Sequence, residues 1–419
     1  MTTTIQAIAG IAAILGLAYV LSEGRERLDK RLIGAALATQ LVLGGLLLRV
    51  PALSGLLAKL SAGVAVLEEA ALAGATFMFG YLVTGAAPFE VTNPSASFIV
   101  AFRVLPLILL VSAISEVLFH LGILPSIIRG LARLIKRTFR VSGALAFAAA
   151  GSVFFGIIEG PILIKPYIAK LDRSELFALM VCGMSTVAGT VMVLYASTLE
   201  PALPGALGHI LVASVMSVPA ALAISHIMIP PANQATEELE EVDTTSTRSG
   251  SVWVALMRGV ESGTKMVVAI VATLIVLFAL VHLANKGLGL LPPWSEHPVT
   301  LQRIVGLILR PLVLAMGIPW SEASAAGELM GTKVILNEFV AYLQLAALPE
   351  EALSARSRMI LTYGMCGFAN LGSLGILVGG LSPLMPERQD ELVSLASRAV
   401  LAGVLATTLT GSVVAIVAP

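Results

Sequence analysis

FGIIEGPILIKPYI, Phe155–Ile168, could lie in a lipid bilayer, yet it carries Glu159 at its centre with Gly156, Gly160, Pro161 and Pro166 around it. A second stretch, VILNEFVAYL, Val334–Leu343, sets Glu338 in equally apolar surroundings. A carboxylate at membrane depth costs roughly 2.5–3.5 kcal/mol on insertion scales, so such groups normally face a protein interior or a solute path. Each glutamate is followed by an Arg-Ser pair (Arg173-Ser174, Arg356-Ser357) and then a Cys-Gly doublet (Cys182-Gly183, Cys366-Gly367). The repetition reads as two copies of one unit, and the two acids as a shared binding site.

Glycine and proline inside an apolar run, with Lys165 and Lys170 close behind, predict a re-entrant hairpin over 142–168 rather than a straight crossing; such backbone is tolerated where protein buries it. The interrupted region 301–345, with Pro311, Gly317, Pro319 and Trp320, predicts a second. Spans are expected at Ile5–Leu21, Leu32–Leu48, Ile99–Leu121, Leu176–Leu199, Leu207–Ile229, Val252–Leu283, Met359–Leu381 and Leu392–Val417. Leu53–Val83, interrupted by Glu68 and Glu69, reads as an interfacial helix. Polar, glycine-rich interruptions of a span are expected at Thr186–Gly189 and Asn370–Gly375, the pattern of inverted repeats with broken helices.

Composition agrees with this class: 57% of the 419 residues are hydrophobic and 12% charged, with a mean hydropathy of +0.93. The fold class is an all-α polytopic membrane protein of about eight transmembrane helices, two re-entrant hairpins and an interfacial helix, arranged as inverted repeats. Net charge is zero and no basic cluster is interleaved with aromatics, so nucleic acid is not a partner. Cys182 and Cys366 have no metal-type spacing and read as packing residues. The first apolar run lacks a basic leader and a cleavage site and reads as a retained span. The five histidines fall mostly at span ends, where interfacial roles are expected.

The positive-inside tendency puts Arg25, Arg27, Lys30 and Arg31, and then Arg129, Arg133, Lys136, Arg137 and Arg140, in the cytoplasm, leaving both termini periplasmic. Arg303, Arg310, Arg356 and Arg358 would then be external, against the rule. The chain divides into N-terminal spans and interfacial helix (1–95), a third span with its basic segment (96–140), a first hairpin and repeat (141–230), a cytoplasmic loop (231–250), a scaffold span (251–300) and a second hairpin and repeat (301–419). The acidic run Glu237–Asp243 is read as a solvated face of that loop. No His-Glu-x-x-His pair or Gly-x-Ser-x-Gly elbow occurs, so a membrane enzyme lacks its usual signatures.

Several motifs in order resemble the concentrative nucleoside transporters over Thr76–Val417: TFMFG at Thr76–Gly80, LPLIL at Leu105–Leu109, LNEFVAYL at Leu336–Leu343, CGFANLGSLGILVGG at Cys366–Gly380 and PER at Pro386–Arg388. GIIEGPILIKPYI at Gly156–Ile168 is similar to the family's GQTEAPLLIRPYI. The resemblance implies a cation-driven nucleoside symporter of a bacterial inner membrane. It further implies a homotrimer embedded in lipid whose hairpin-bearing part moves like an elevator, with no resident cofactor.

By the same resemblance Glu338, Asn370 and Ser373 contact the ribose, Phe368 is an aromatic wall, Val191 an apolar contact, and Glu159 lies on the nucleobase side. Chemically the first three suit a vicinal diol, since carboxylate, amide and hydroxyl together supply acceptors and donors. By spacing alone Asn370 and Ser373 could also be hydrogen-bonding glue between helices, and the motif they belong to favours the site. Where the family has Gln and then Thr or Ser before the hairpin glutamate, this chain has Ile157 and Ile158, so base preference does not carry over. Ser152 replaces the asparagine of sodium-dependent members, with Phe155, Thr186 and Val187 as the remaining candidate cation contacts. The coupling ion is therefore sodium or a proton, and the alternatives are a different ribosyl solute or a non-concentrative channel or sensor on the same scaffold.

Overall fold

The computed structural model describes residues 2–83, 87–90, 92, 99–231, 250–293 and 298–418, and over these the chain is helical with short connections. The acidic run 237–243 and most of the expected loop around it lie outside the described residues, as does His297.

Caps and breakers set the boundaries. Helix α1 (Thr2–Val20) is followed by α2 (Lys30–Arg49), whose N-cap Asp29 accepts from the amides of Arg31 and Leu32. Helix α3 (Pro51–Phe79) opens on a proline, and α4 (Val100–Arg103), α5 (Pro106–His120) and α6 (Ile123–Phe139) follow. Gly122, at φ +78°, makes the turn between α5 and α6.

The first hairpin is α7 (Gly143–Gly151), a non-α tip over 152–158, and the short helices α8 (Glu159–Ile162) and α9 (Lys165–Ile168). Helix α10 (Arg173–Ser185) starts on an Asp172/Glu175 capping box, and after the break at 186–188 the same path continues as α11 (Gly189–Leu199). Helix α12 (Ala206–Met228) closes this half and runs through Pro219 without a break.

The second half repeats the order. A long helix α13 (Val252–Leu288) is followed by α14 (Leu301–Ala315), the hairpin pair α15 (Ala323–Ile335) and α16 (Glu338–Ala347), the broken pair α17 (Ala355–Met365) and α18 (Leu371–Leu381), and α19 (Gln389–Val417). Contacts are reciprocal: α10 packs on α19 as α17 packs on α12, α7 meets α10 as α15 meets α17, and α12 and α19 meet each other. The two leading helices, α5 and α13, pack tightly together. A Cβ on Gly259 would come within 2.5 Å of the Ala113 Cα, and one on Gly263 within 3.0 Å of the Ser112 Cβ. This is the close approach that glycines four apart permit between membrane helices.

Eight stretches among the described residues are long and apolar enough to cross a membrane. The stretch 62–82, α3 from Ala62 onward with the 3-10 turn Gly80–Leu82, is one of them, although 53–83 was expected to lie at the interface. The run 359–381, expected as a span interrupted at 370–375, is the broken pair α17 and α18. Its break also falls earlier than expected, at 366–370 rather than 370–375, because Asn370 caps the next helix: its Oδ1 accepts from the Ser373 amide at 2.8 Å.

Two ends of the bundle are distinguishable. At one, Glu23 joins Arg173 (3.0 Å) and Arg398 (2.6 Å), and the Glu23 amide donates to the Met228 carbonyl. The Arg173 guanidinium hydrogen-bonded to Glu23 holds its carboxyl below the usual carboxylate range. Both basic segments belong near this end, since α6 packs against α2 and shares a core with Leu32 and Ala36. At the other end Gly317, at φ +80°, sits so close to Thr3 and Ala415 that an added Cβ would come within 2.9 Å of the Thr3 carbonyl oxygen and 3.3 Å of the Ala415 Cβ. The first and last helices therefore begin and finish together.

The four arginines that strain the charge rule are taken up by the protein. Arg358 is buried and donates to the carbonyls of Leu345, Leu348, Pro349 and Leu353. Arg356 donates to the Ala415 carbonyl, Arg303 pairs with Glu328 at 3.3 Å, and Arg310 lies 4.3 Å from the Trp320 ring centroid.

Candidate functional site

Both hairpin tips and both helix breaks open on one cavity of 660 Å³, within the roughly 300–1,000 Å³ common for small-molecule sites. Hairpin one contributes residues 156–159, hairpin two Leu336–Phe339, α11 Val191, Leu194 and Tyr195, and the second broken path Phe368, Asn370 and Ser373. The face of α13 from Ser262 to Leu277 closes the side opposite. All eight residues expected to touch substrate, Ile157, Ile158, Glu159, Val191, Glu338, Phe368, Asn370 and Ser373, border this space.

Local sequence explains the convergence. Leu336 ends α15 and Asn337, in extended conformation, restarts the chain: its side chain accepts from the Val340 amide at 2.9 Å, so Glu338 becomes the first residue of α16. Asn370 performs the same service for α18. Two N-caps, one at the tip of the second hairpin and one in the second helix break, thus bring a carboxylate and an amide face to face, and Asn370 Nδ2 donates to Glu338 Oε2 at 3.0 Å. The other carboxylate oxygen, Oε1, accepts from the Tyr195 hydroxyl at 2.5 Å. Tyr195 is held in place by rings on α16, with Phe339 at 6.0 Å and Tyr342 at 5.4 Å between centroids, and Tyr342 in turn donates to the Thr362 carbonyl.

A buried carboxylate is tolerable only with such partners. Bonded to Tyr195 and Asn370, Glu338 still offers lone pairs toward the cavity, and Asn370 retains donor capacity. The two isoleucines that replace polar residues are packed into the protein. Ile158 lies against α18 where Gly380 leaves room, a Cβ there meeting Ile158 Cγ1 at 2.4 Å, and Ile157 lies against Gly183. Glu159 curls back over the tip, with Oε2 2.6 Å from where a Cβ on Gly156 would stand.

The candidate cation residues sit at the junction of hairpin one with the first break, where the Phe154 carbonyl accepts from the Gly189 amide at 2.9 Å. The Ser152 hydroxyl donates to the Ala149 carbonyl and that of Thr186 to the Cys182 carbonyl, both at 2.9 Å, while the Val187 amide donates to Ser214 at 3.3 Å. Phe155 packs its ring on Phe119 at 5.8 Å. The oxygens present suit a hard cation, since a hydroxyl that donates its proton keeps its lone pairs for a metal. Among the described residues no group of three or more His, Cys, Asp or Glu could hold a metal ion.

Sequence reasoning missed Tyr195, Asn337 and the α13 wall. Tyr195 stands one helical turn from Val191, so it shares that residue's face, but a lone tyrosine in an apolar run carries no signal beyond that spacing. Lys333 was missed as well: it is fully buried five residues before Glu338, and its ammonium has no hydrogen-bond partner among the described residues.

Residues 209–415 match the family described as Na+ dependent nucleoside transporter C-terminus, residues 9–82 its N-terminus, and residues 101–202 a nucleoside recognition (Gate) family. The nucleoside permease NupC of Helicobacter pylori is 32% identical over 412 residues, covering 97% of this chain and 96% of its own. Human solute carrier family 28 member 3 is 33% identical over 352 residues, which are 78% of this chain and 50% of its own. Among solved structures, CNTnw in an inward-facing substrate-bound state superposes with a TM-score of 0.89 at 32% identity, over 99% of this chain and 98% of that one. A doubly substituted CNTnw in an outward-facing state gives 0.89 at 32% identity over 100% and 98%.

Proposed function

The chain belongs to the Na+-dependent nucleoside transporter family, and on that premise we propose that Glu338, Asn370 and Ser373 hold the ribose of a nucleoside that crosses the membrane together with a cation. It is a cation-coupled nucleoside symporter, a multi-pass bacterial inner-membrane protein and not an enzyme. The single observation that carries the site assignment is the Tyr195–Glu338–Asn370 chain of hydrogen bonds opening on the cavity. A vicinal diol entering there exchanges water for a carboxylate already oriented by two donors, so a solute without those hydroxyls leaves the carboxylate under-satisfied.

Phe368 and Val191 form the apolar walls, and Glu159 faces the base from hairpin one. With Ile157 and Ile158 giving only apolar surface to the cavity, shape, apolar contact and Glu159 read the base, which favours a broad range of nucleosides. The hairpins with their broken helices are the moving part, α13 with the N-terminal helices the scaffold, and the states recorded for CNTnw fit an elevator-like exchange. Three copies assemble, and both termini face the periplasm, the end where Gly317, Thr3 and Ala415 meet.

Sodium, held by Ser152 and Thr186 hydroxyls with the carbonyls of Phe155 and Val187, is the coupling ion. The serine in place of an amide favours proton coupling as the second reading, because it removes one strong oxygen donor from that shell. Accumulation of labelled uridine, adenosine and inosine in proteoliposomes under separate sodium and proton gradients tests both. Uptake driven by neither gradient would overturn coupling, and a Glu338→Gln protein that accumulates nucleoside as well as the parent would overturn the sugar contact.

A further inference from the structure

Helix α6 presents three different faces. At about 100° per residue, Leu124, Ile128, Ile135 and Phe139 share one side and are buried in the core. Ile123, Ile127 and Leu134 share a second, roughly a third of a turn away, and are 48%, 49% and 60% exposed. Arg133, Lys136, Arg137 and Arg140 fall on the third, with Arg129 beside them, and these four are exposed. A buried seam, an uncovered apolar stripe and a cationic stripe on one helix match a water–lipid boundary: protein behind, acyl chains to one side, headgroups to the other.

The cations on this helix are set apart from those of its counterpart in the second repeat. On α14, Arg303 is paired with Glu328 and Arg310 lies on Trp320. On α6, Arg133, Lys136, Arg137 and Arg140 have no ion-pair partner among the described residues. We propose that α6 is a docking surface for anionic phospholipid headgroups, with Arg133, Lys136 and Arg137 as the gripping cations and Ile127 and Leu134 set among the acyl chains.

The placement makes the contact regulatory. Arg140 ends α6 in the left-handed region (φ 54°), and two residues later Ser142 caps α7 by accepting from the Leu145 amide at 3.2 Å. Helix α6 is thus the arm between α5, which is locked to α13, and the hairpin that carries Glu159. Lipid charge that fixes the arm tunes how readily that hairpin moves.

The test has one readout independent of transport. Full-length protein is placed in nanodiscs containing phosphatidylglycerol and phosphatidylcholine, and retained lipid is counted by native mass spectrometry. The parent should keep the anionic lipid at least about tenfold over the neutral one, since two engaged cations at roughly fivefold each already exceed that, and R133Q/K136Q/R137Q should lose the preference. Charge reversals made one at a time, R133E or R137E, serve if the triple variant does not fold, and R133K/R137K should behave as the parent. In proteoliposomes, adding phosphatidylglycerol should speed parental uptake several-fold and leave the triple variant unchanged. Equal retention of both lipids by the parent, as an acidic protein segment covering the face would give, or an undiminished preference in the charge-removed variants, overturns the proposal. Because retention is scored without nucleoside, its failure is separable from failure of the transport assignment.

Discussion

Tyr195 and Glu338, 143 positions apart in sequence, meet at 2.5 Å across the seam between the first broken helix and the second hairpin. The phenol donates to one carboxylate oxygen while Asn370 donates to the other, so three elements from two repeats fix a single side chain. Tyr195→Phe keeps the ring stacking on Phe339 and removes only the donor. Hydrogen bonds to charged groups contribute about 1.5–3 kcal/mol, so KM for nucleoside uptake should rise at least about tenfold with the protein still folded. An unchanged KM would show that the hydroxyl does not orient the carboxylate.

Gly380 and Ile158 make a second seam, between α18 and the tip of hairpin one. A Cβ at 380 would stand 2.4 Å from Ile158 Cγ1, and overpacking of this kind costs about 1–3 kcal/mol. Gly380→Ala should therefore slow uptake, and Ile158→Ala in the same chain should restore it. Thermal unfolding of single and double variants checks the coupling: additive effects would mean that the two residues do not compete for space.

Arg358 supports the second hairpin from behind by filling four carbonyl acceptors with one guanidinium. Arg358→Met should lower stability by about 3 kcal/mol, since it leaves the carbonyls of the buried Leu345 and Leu353 unpaired. Arg358→Lys should recover only part, because an ammonium lacks the planar fork that spans them. Melting temperature in detergent, read with the fraction eluting monodisperse, reports both.

The Glu23 cluster predicts a pH dependence. Its folded-state pKa lies below the ordinary carboxylate value because Arg173 donates to it. The contribution to stability is then present above the unfolded value, near pH 4.3, and is lost as pH falls through that value toward the depressed one. Glu23→Gln should be less stable than the parent at pH 7 and should converge with it at low pH. A gap between the two proteins that stays constant with pH would contradict the assignment.

Much of this arrangement was legible in the sequence, because breakers and buried charges leave marks that periodicity exposes. Gly156, Pro161 and Pro166 announced the first hairpin, and Glu338 with Asn370 announced the polar centre. The start of the second break was misread for a physical reason: glycines at 372 and 375 look like interruptions, yet they lie inside α18. Gly372 lets that helix approach Leu277 and Thr273 of α13, where a Cβ would meet Leu277 Cδ1 at 3.1 Å. Arg358 looks like an external charge because sequence does not reveal that a carbonyl-rich turn folds over it, and Arg356 because its acceptor, the Ala415 carbonyl, is far along the chain. Tyr195 stayed hidden because its only distinction is a partner far along the chain.

The α13 wall of the cavity has its own consequence. Over its inner length it offers Met266, Ala269, Ile270, Thr273 and Leu277, so few directional bonds tie it to whatever lies opposite. A loaded body travelling along such a surface has almost nothing to unfasten, and friction there comes from shape and from wetting. On the proposed division into moving hairpins and a fixed α13, grip and glide fall to different walls of one chamber, so the strength of holding can change without altering the ease of passage.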